Sequence, residues 1–484
     1  MKLSELIQRL DPVVVTGDTE VEIRSVAYDS RKVSEGTLFI AVRGFKEDGN
    51  MFIPAAVRNG AAAVISDDPA VEVNATCVRV QDARRAMAVV SDRFYGRPQE
   101  ALVMAGITGT NGKTTTSYMV KSIFDSGGLS CGLIGTIRHI VGGKESTASN
   151  TTPEAPDIHS MLAGMVAERQ SACVMEVSSH ALILSRVYGI HFRAVALTNI
   201  TRDHLDFHGD FMRYLDAKSI LFSSLSGDST AVVNRDDPHA GHIINLSRGG
   251  RVLTYGFAAG NDIMPEKYEL TPAGSSLVMS TPVGSIDIRL PVPGRFNISN
   301  AMAAAGVGIA CGFPADIIAE GLAAVRPVKG RYENIDEGQD FSVIVDYAHT
   351  PDALERILAS VRELTSGRLI SVFGCGGDRD RGKRPLMGGI SARLADITVV
   401  TSDNPRSEAP MDIIDEIERG IPDGARYEVE PDRAKAIGRA IGLAGAGDAV
   451  VIAGKGHEDY QIIGAKKHHF DDAEIARQFL RTKV

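Results

Sequence analysis

Cysteine is sparse and scattered in this chain: five among 484 residues, at positions 77, 131, 173, 311 and 375, with no pair at metal-ligand spacing. An odd, dispersed set argues against a disulfide framework and suits a reducing cytosol. Positive charge is also short. The 52 lysines and arginines face 61 acidic residues, a formal net charge of −9, which argues against a general nucleic-acid or membrane-surface role. No apolar run reaches the roughly 18 residues of a membrane span. The start, Met1-Lys2-Leu3-Ser4-Glu5-Leu6, is a short amphipathic segment without the long apolar stretch of a targeting signal. Internal repeats and low-complexity tracts are missing as well. The expectation is a soluble, cytoplasmic chain, 44% hydrophobic and 23% charged, too long for one ordinary core and divided into about three domains.

What is present begins with Gly106-Ile107-Thr108-Gly109-Thr110-Asn111-Gly112-Lys113-Thr114-Thr115. The apolar run 101–105 before it reads as a buried strand, and 116–125 after it reads as a helix. A glycine turn at a strand-to-helix junction lets backbone N–H groups close on a phosphate, and the helix N-terminus favours the negative charge. Lys113 is placed to reach the outer phosphates and the Thr114 hydroxyl to hold Mg²⁺. The loop is a variant, because Ile107 stands where the usual spacing has glycine. The string predicts ATP binding.

Turn-rich Tyr95-Gly96-Arg97-Pro98 and Pro327-Val328-Lys329-Gly330 suggest boundaries, giving domains at 1–98, 99–330 and 331–484. The first carries short strands and one helix at 53–59. In the second, strands at 172–177, 194–200 and 230–234 alternate with helical patterns, the rhythm of a mainly parallel sheet. Strands at 342–347, 369–374, 397–402 and 449–453 predict a second α/β unit with ligand loops at its strand ends.

Four clusters lie downstream of the phosphate loop. Glu176, in Met175-Glu176-Val177-Ser178-Ser179-His180, ends an apolar strand. Alone it reads as a solvated carboxylate; beside a phosphate loop in the same sheet it becomes a Mg²⁺ ligand. Asn199-Ile200-Thr201-Arg202-Asp203-His204-Leu205-Asp206-Phe207-His208-Gly209 packs two aspartates and two histidines after another strand. It reads as a site, with a capped turn as the alternative for Asp206. Lys218 lies on an amphipathic helix, where an isolated lysine is ordinarily solvated. Asn300 opens a small-residue helix, either as its N-cap or as an amide reading adenine.

Together these strings resemble the Mur ligase family, ATP-dependent amide-forming enzymes of peptidoglycan precursor assembly. The resemblance runs the length of the chain in order, from Tyr28-Asp29-Ser30-Arg31 to Gly454-Lys455-Gly456-His457-Glu458. It implies an α/β fold of three domains: a first domain for a uridine nucleotide substrate, a central P-loop parallel-sheet ATPase domain and a C-terminal Rossmann-like domain for an amino acid. ATP would meet Gly109, Thr110, Asn111, Gly112, Lys113, Thr114 and Thr115, together with Asn300, Arg331, Asp346 and His349. Mg²⁺ would meet Thr114, Glu176 and His204, with Lys218 matching a lysine carbamylated by CO₂ that serves a second ion. Lys113, His204 and Lys218 are the implied catalytic residues. A UDP-N-acetylmuramoyl dipeptide would meet Tyr28, Ser30, Asn150, Thr151, Thr152, Ser178 and Arg186.

The string Asp403-Asn404-Pro405-Arg406, by itself a turn after a strand, resembles the version that adds meso-diaminopimelate. The distal end of that amino acid carries a carboxylate that lysine lacks, and a guanidinium grips a carboxylate with two parallel hydrogen bonds. Arg379 would support Arg406, with Glu458 and the Gly454 carbonyl facing the distal ammonium. The basic run Arg379, Arg381, Lys383 and Arg384 could also suit a polyanion, but Asp378 and Asp380 interrupt it. Two departures bear on the uridine side: Leu184 stands where relatives often have glutamine, and the loop Phe45-Lys46-Glu47 differs. The implied reaction passes through an acyl phosphate on a monomeric enzyme whose domains close about a hinge near Gly330. The rivals are a lysine-adding or folate-extending ligase on the same scaffold and an ATP-hydrolysing switch.

Overall fold

Strand alternation in the first hundred residues builds a five-stranded sheet in the computed structural model, which describes residues 1–10, 12–44 and 47–483. Phe45 and Lys46 of the divergent loop lie outside the described residues. The spatial order is Val14–Thr16, Thr76–Arg79, Ala61–Ser66, Thr37–Ala41, Ser25–Ala27, antiparallel only at the first pairing. Besides the expected helix, which runs Ile53–Arg58, this unit has a second, longer one at Ala83–Phe94. Asp82 caps it by accepting from the amides of Arg84 and Arg85, and Ala83, Ala86, Met87 and Val90 turn into the core. The sequence reading missed this helix.

The central sheet has eight strands among the described residues, in the order Arg251–Tyr255, Thr230–Asn234, Ala194–Leu197, Val103–Thr108, Ala172–Glu176, Cys131–Ile134, Arg138–Val141 and Lys144–Thr147. The first six are parallel and the last two are antiparallel additions. The strand before the phosphate loop is therefore Val103–Thr108 rather than 101–105, because Pro98–Ala101 coils into a 3₁₀ turn. The phosphate-loop helix runs Lys113–Ser126. Apolar side chains cover both faces of the sheet, as a parallel sheet requires. A separate antiparallel sheet, Met264–Thr271, Gly274–Ser280 and Ile286–Leu290, follows it and was not foreseen.

The Asn300 reading needs correction. Its helix begins at Arg295 and ends at Ala310, so Asn300 lies inside it. The chain turns at Gly294, whose φ is +99°. Gly294 takes the N-cap place without a side-chain cap bond, and Asn297 donates from the first turn back to the Pro293 carbonyl at 2.7 Å.

The last unit has the order Glu333–Asn334, Ser342–Asp346, Ala449–Ala453, Leu369–Phe373, Ile397–Val400, Tyr427–Val429, parallel after the first pairing. Its central strands, Leu369–Phe373, Ile397–Val400 and Ala449–Ala453, are buried and largely apolar, and helices cover both faces. Beneath the strand ends, Arg433 and Asp472 form a fully buried double-bonded pair, 2.7 Å at each contact. Arg433 also donates to the Ala453 carbonyl. The pair ties the starts of helices Arg433–Leu443 and Asp472–Lys483 to one strand end. Among the described residues, no helix is long and apolar enough to cross a membrane.

Candidate active site

The C-terminal ends of the parallel strands in the central and last units face one cleft. A cavity of about 230 Å³ there is lined by Thr110, Asn111, Gly112, Lys113, Thr114 and Thr115 on one side and by Arg331, Asp346, Tyr347 and His349 on the other. Thr151, His204 and Asn300 also reach it. Gly112 adopts φ +86°, and a Cβ there would come within 2.5 Å of Asn300 Oδ1. The loop can therefore turn beside Asn300 only with glycine. Lys113 Nζ donates to the carbonyls of Gly109 and Thr110, both at 2.9 Å.

Glu176 ends its strand fully buried. Its carboxylate accepts from Thr114 Oγ1 at 3.0 Å, from Thr136 Oγ1 at 2.8 Å and from the Thr136 amide at 2.9 Å. Thr136 was not foreseen; its position just after a central strand was the only available signal. Lys218 is also buried, which removes the solvated-lysine reading: Nζ donates to the Gly109 carbonyl at 2.8 Å and lies over the Tyr214 ring. Burial, and then the nearby Lys113, hold its ammonium well below the ordinary lysine value. His204 has a left-handed backbone (φ 52°) and stacks edge-on with His180.

Contacts cross the cleft. Arg331 donates to Thr114 Oγ1 at 3.2 Å, and Asn111 Nδ2 donates to Asp352 Oδ2 at 2.7 Å. Arg202 pairs with Asp380 at 3.2 Å. Asp352 lies in the first turn of helix Pro351–Leu364 and carried no motif in the sequence. Asp346 accepts from the Tyr332 and Ala348 amides, and burial raises its pKa. Burial lowers His349 to about 4.

The residues expected on the uridine side sit where the first and central units meet. Tyr28 donates to Asp157 Oδ2 at 2.6 Å. Ser30 begins the short 3₁₀ turn Ser30–Lys32 of the first sheet's edge. Arg186 donates to the Thr152 carbonyl and to Glu154, which also pairs with Arg84 of the first unit. Thr152 Oγ1 donates to the Glu176 carbonyl and lies 3.3 Å from Ser178 Oγ. Arg186 Nε is buried without a hydrogen-bond partner among the described residues. Asn150 lies in the same segment as Thr151 and Thr152, just before helix Ala155–Ala167. Leu184 is buried at the end of helix Ser179–Ile183.

The residues expected at the amine end converge from three loops. Asn404 Nδ2 donates to Glu458 Oε2 at 2.9 Å, and the buried Lys455 ammonium lies 3.3 Å from both side chains. Burial would raise Asp403, but Lys455 and Arg433 hold it below the ordinary carboxylate value. Burial and Asp403 raise Glu458. Gly454 comes so close to Asp403 that a Cβ would lie 2.7 Å from its carboxylate. Pro405 joins Asn404 to Arg406, whose guanidinium donates to the Gly377 and Asn404 carbonyls. Arg379 is exposed and bonds to the Asp378 carbonyl. Half of the basic run is neutralised internally: Arg381 and Arg384 pair with Glu416 and Arg384 also with Glu408, while Lys383 donates to the His349 carbonyl.

Comparisons with known proteins fit this geometry. The Mur ligase middle-domain model matches residues 107–308, the Mur ligase glutamate-ligase-domain model 330–456 and the Mur ligase family catalytic-domain model 22–95. The UDP-N-acetylmuramoyl-L-alanyl-D-glutamate–2,6-diaminopimelate ligase of Geobacillus thermodenitrificans is 44% identical over 490 residues, covering 100% of each chain. Its Bacillus licheniformis namesake is 44% identical, covering 99% of each. A solved structure with the same ligase name aligns with TM-score 0.72 at 32% identity, covering 100% of this chain and 99% of that one.

Proposed function

This chain belongs to the Mur ligase family, and from that premise we propose that it is an ATP-dependent ligase joining meso-2,6-diaminopimelate to UDP-N-acetylmuramoyl-L-alanyl-D-glutamate in peptidoglycan precursor synthesis. The observation that carries the choice of amino acid is the convergence of Arg406 with Asp403, Asn404 and Glu458 beside the nucleotide cleft. A guanidinium for the distal carboxylate and carboxylates for the distal ammonium distinguish diaminopimelate from lysine. The enzyme is taken to act in the cytoplasm as a monomer, with units 1–98, 99–330 and 331–484 binding the uridine nucleotide, ATP and the amino acid.

A carboxylate oxygen is a poor leaving group, so the D-glutamate γ-carboxylate first attacks the ATP γ-phosphoryl group and becomes an acyl phosphate, releasing ADP. The deprotonated amine then attacks the acyl carbon and phosphate departs. The amides of residues 109–115 and the Lys113 ammonium cradle the phosphates, and Asn300, Arg331, Asp346 and His349 hold the nucleoside end. Thr114 and Glu176 present oxygens 3.0 Å apart, a hard donor pair that suits Mg²⁺. Bound there with His204, Mg²⁺ would supply neutralising charge to the phosphoryl oxygens.

Lys218 suits carbamylation chemically. Only a neutral amine attacks CO₂, and the burial that depresses its pKa favours that form. The cross-cleft contacts from Arg331, Asn111 and Arg202 keep the last unit over the phosphate loop, shielding the acyl phosphate from water. The test is phosphate release from ATP with the UDP-muramoyl dipeptide and diaminopimelate, lysine or no amino acid. Release with diaminopimelate alone, with a product heavier by one residue, supports the reading. Release without an amine points instead to an ATP-hydrolysing switch.

A further inference from the structure

Two loops that present the amine-end arginines are held in backbone conformations they would not choose alone. Asp378 has φ +55° and Arg406 φ +53°, left-handed values that strain a side-chain-bearing residue and persist where the surroundings over-determine them. The first loop follows strand Leu369–Phe373 and carries Arg379; the second follows strand Ile397–Val400 and carries Arg406. They touch closely. A Cβ on Gly377 would fall 1.9 Å from the Pro405 carbonyl oxygen, and the Gly377 amide donates to the Asn404 carbonyl at 2.9 Å.

One side chain reaches both loops from beneath. Arg384, on helix Lys383–Leu394, is fully buried. Its guanidinium makes two parallel bonds of 2.8 Å to the Glu408 carboxylate and a third of 2.9 Å to Glu416 on helix Pro410–Glu418. Glu408 in turn accepts from the Asp378 amide at 2.6 Å. Ser407 Oγ donates to Asp378 Oδ1 at 2.6 Å. Arg384 thus fixes Glu408, Glu408 and Ser407 fix Asp378, and the paired loops hold the Arg406 guanidinium against the Gly377 carbonyl at 2.8 Å. Lysine could not serve here, because a single ammonium lacks the planar fork that satisfies two carboxylates at fixed angles.

We propose that Arg384, acting through Glu408 and Asp378, is a positioning residue for amino-acid selection: it sets the Arg379 and Arg406 loops to receive the distal carboxylate of diaminopimelate. The inference rests on the ligase reading above. Steady-state kinetics of the full-length Arg384→Lys, Glu408→Gln and Ser407→Ala variants test it. Each folded variant is expected to raise KM for diaminopimelate, by about ten-fold for Arg384→Lys and Glu408→Gln and about three-fold for Ser407→Ala. KM for ATP and for the uridine substrate should stay within two-fold. The preference for diaminopimelate over lysine should fall in parallel, a readout that a merely structural role would leave alone. If Arg384→Lys does not fold, the other two variants decide, since Ser407 and Glu408 lie nearer the surface. Glu408→Gln and Ser407→Ala with a parental diaminopimelate KM and an unchanged preference would overturn the proposal, even with a lowered melting temperature. A parent enzyme that adds no diaminopimelate would instead overturn the reading beneath it.

Discussion

The phosphate loop and the amine-end loops occupy equivalent places, at the C-terminal ends of parallel strands, yet they are built differently. The first is one contiguous string whose backbone, on the proposed reading, would meet the phosphates, and its lysine is steadied by two carbonyls of its own loop. The second is assembled from segments near residues 376, 404 and 456. It depends on buried charge, namely Arg384 with its two glutamates, Arg433 with Asp472, and Lys455 between Asn404 and Glu458. Phosphates are alike in every nucleotide and can be met by a local backbone nest. Choosing one amino acid over another needs side chains held at fixed angles, which takes tertiary structure.

Breaking the amine-end support should have the largest effect. Arg433→Leu leaves Asp472 buried and unpaired, and should destabilise the protein by about 3–5 kcal/mol, read as a lower urea midpoint. At the phosphate side, Lys218→Ala should slow ligation by about 10²–10³-fold, and formate or acetate should restore part of the rate. No rescue by any small carboxylate would count against the carbamate.

A region belonging to neither loop system sharpens the contrast. His159 is fully buried between the first and central units, Nδ1 3.5 Å from Asp92, and neither ring nitrogen has a hydrogen-bond partner among the described residues. Burial lowers it to about 4. An unfolded chain takes up the proton near pH 6.5, so the stability its neutral form carries is present above that pH and lost as pH falls toward 4. The loss should reach about 2 kcal/mol by pH 5, and His159→Leu should flatten that part of a melting-temperature profile. The smallest effect belongs to the partly exposed Arg202–Asp380 pair, with about 0.5–1 kcal/mol expected. Either charge reversal should raise KM for diaminopimelate a few-fold, and exchanging both charges should restore it.

The same contrast explains what could be read from the chain. The strand-to-helix turn at 109–115 was legible because its signals are contiguous, and the apolar strands 230–234 and 449–453 came out at the bounds observed. Helix Ala83–Phe94 was missed although 83, 86, 87 and 90 recur at helical spacing, because half of that stripe is alanine, which stands out little as an apolar signal. Asn300 was misplaced because the helix starts earlier, at the Gly294 turn. Thr136 and Asp352 are single polar residues at element ends whose partners lie 40 and 241 positions away. Arg384 was indistinguishable from its neighbours in a basic run, and only the fold buries it against two glutamates.

The most direct test of the division between phosphate binding and amine selection is kcat/KM for diaminopimelate and for lysine in the parent and in Arg406→Ala. The parent should strongly favour diaminopimelate. Arg406→Ala should lose about 30–100-fold of that preference, the worth of a charge-assisted double hydrogen bond, while KM for ATP stays unchanged. A preference that survives the substitution would contradict the account.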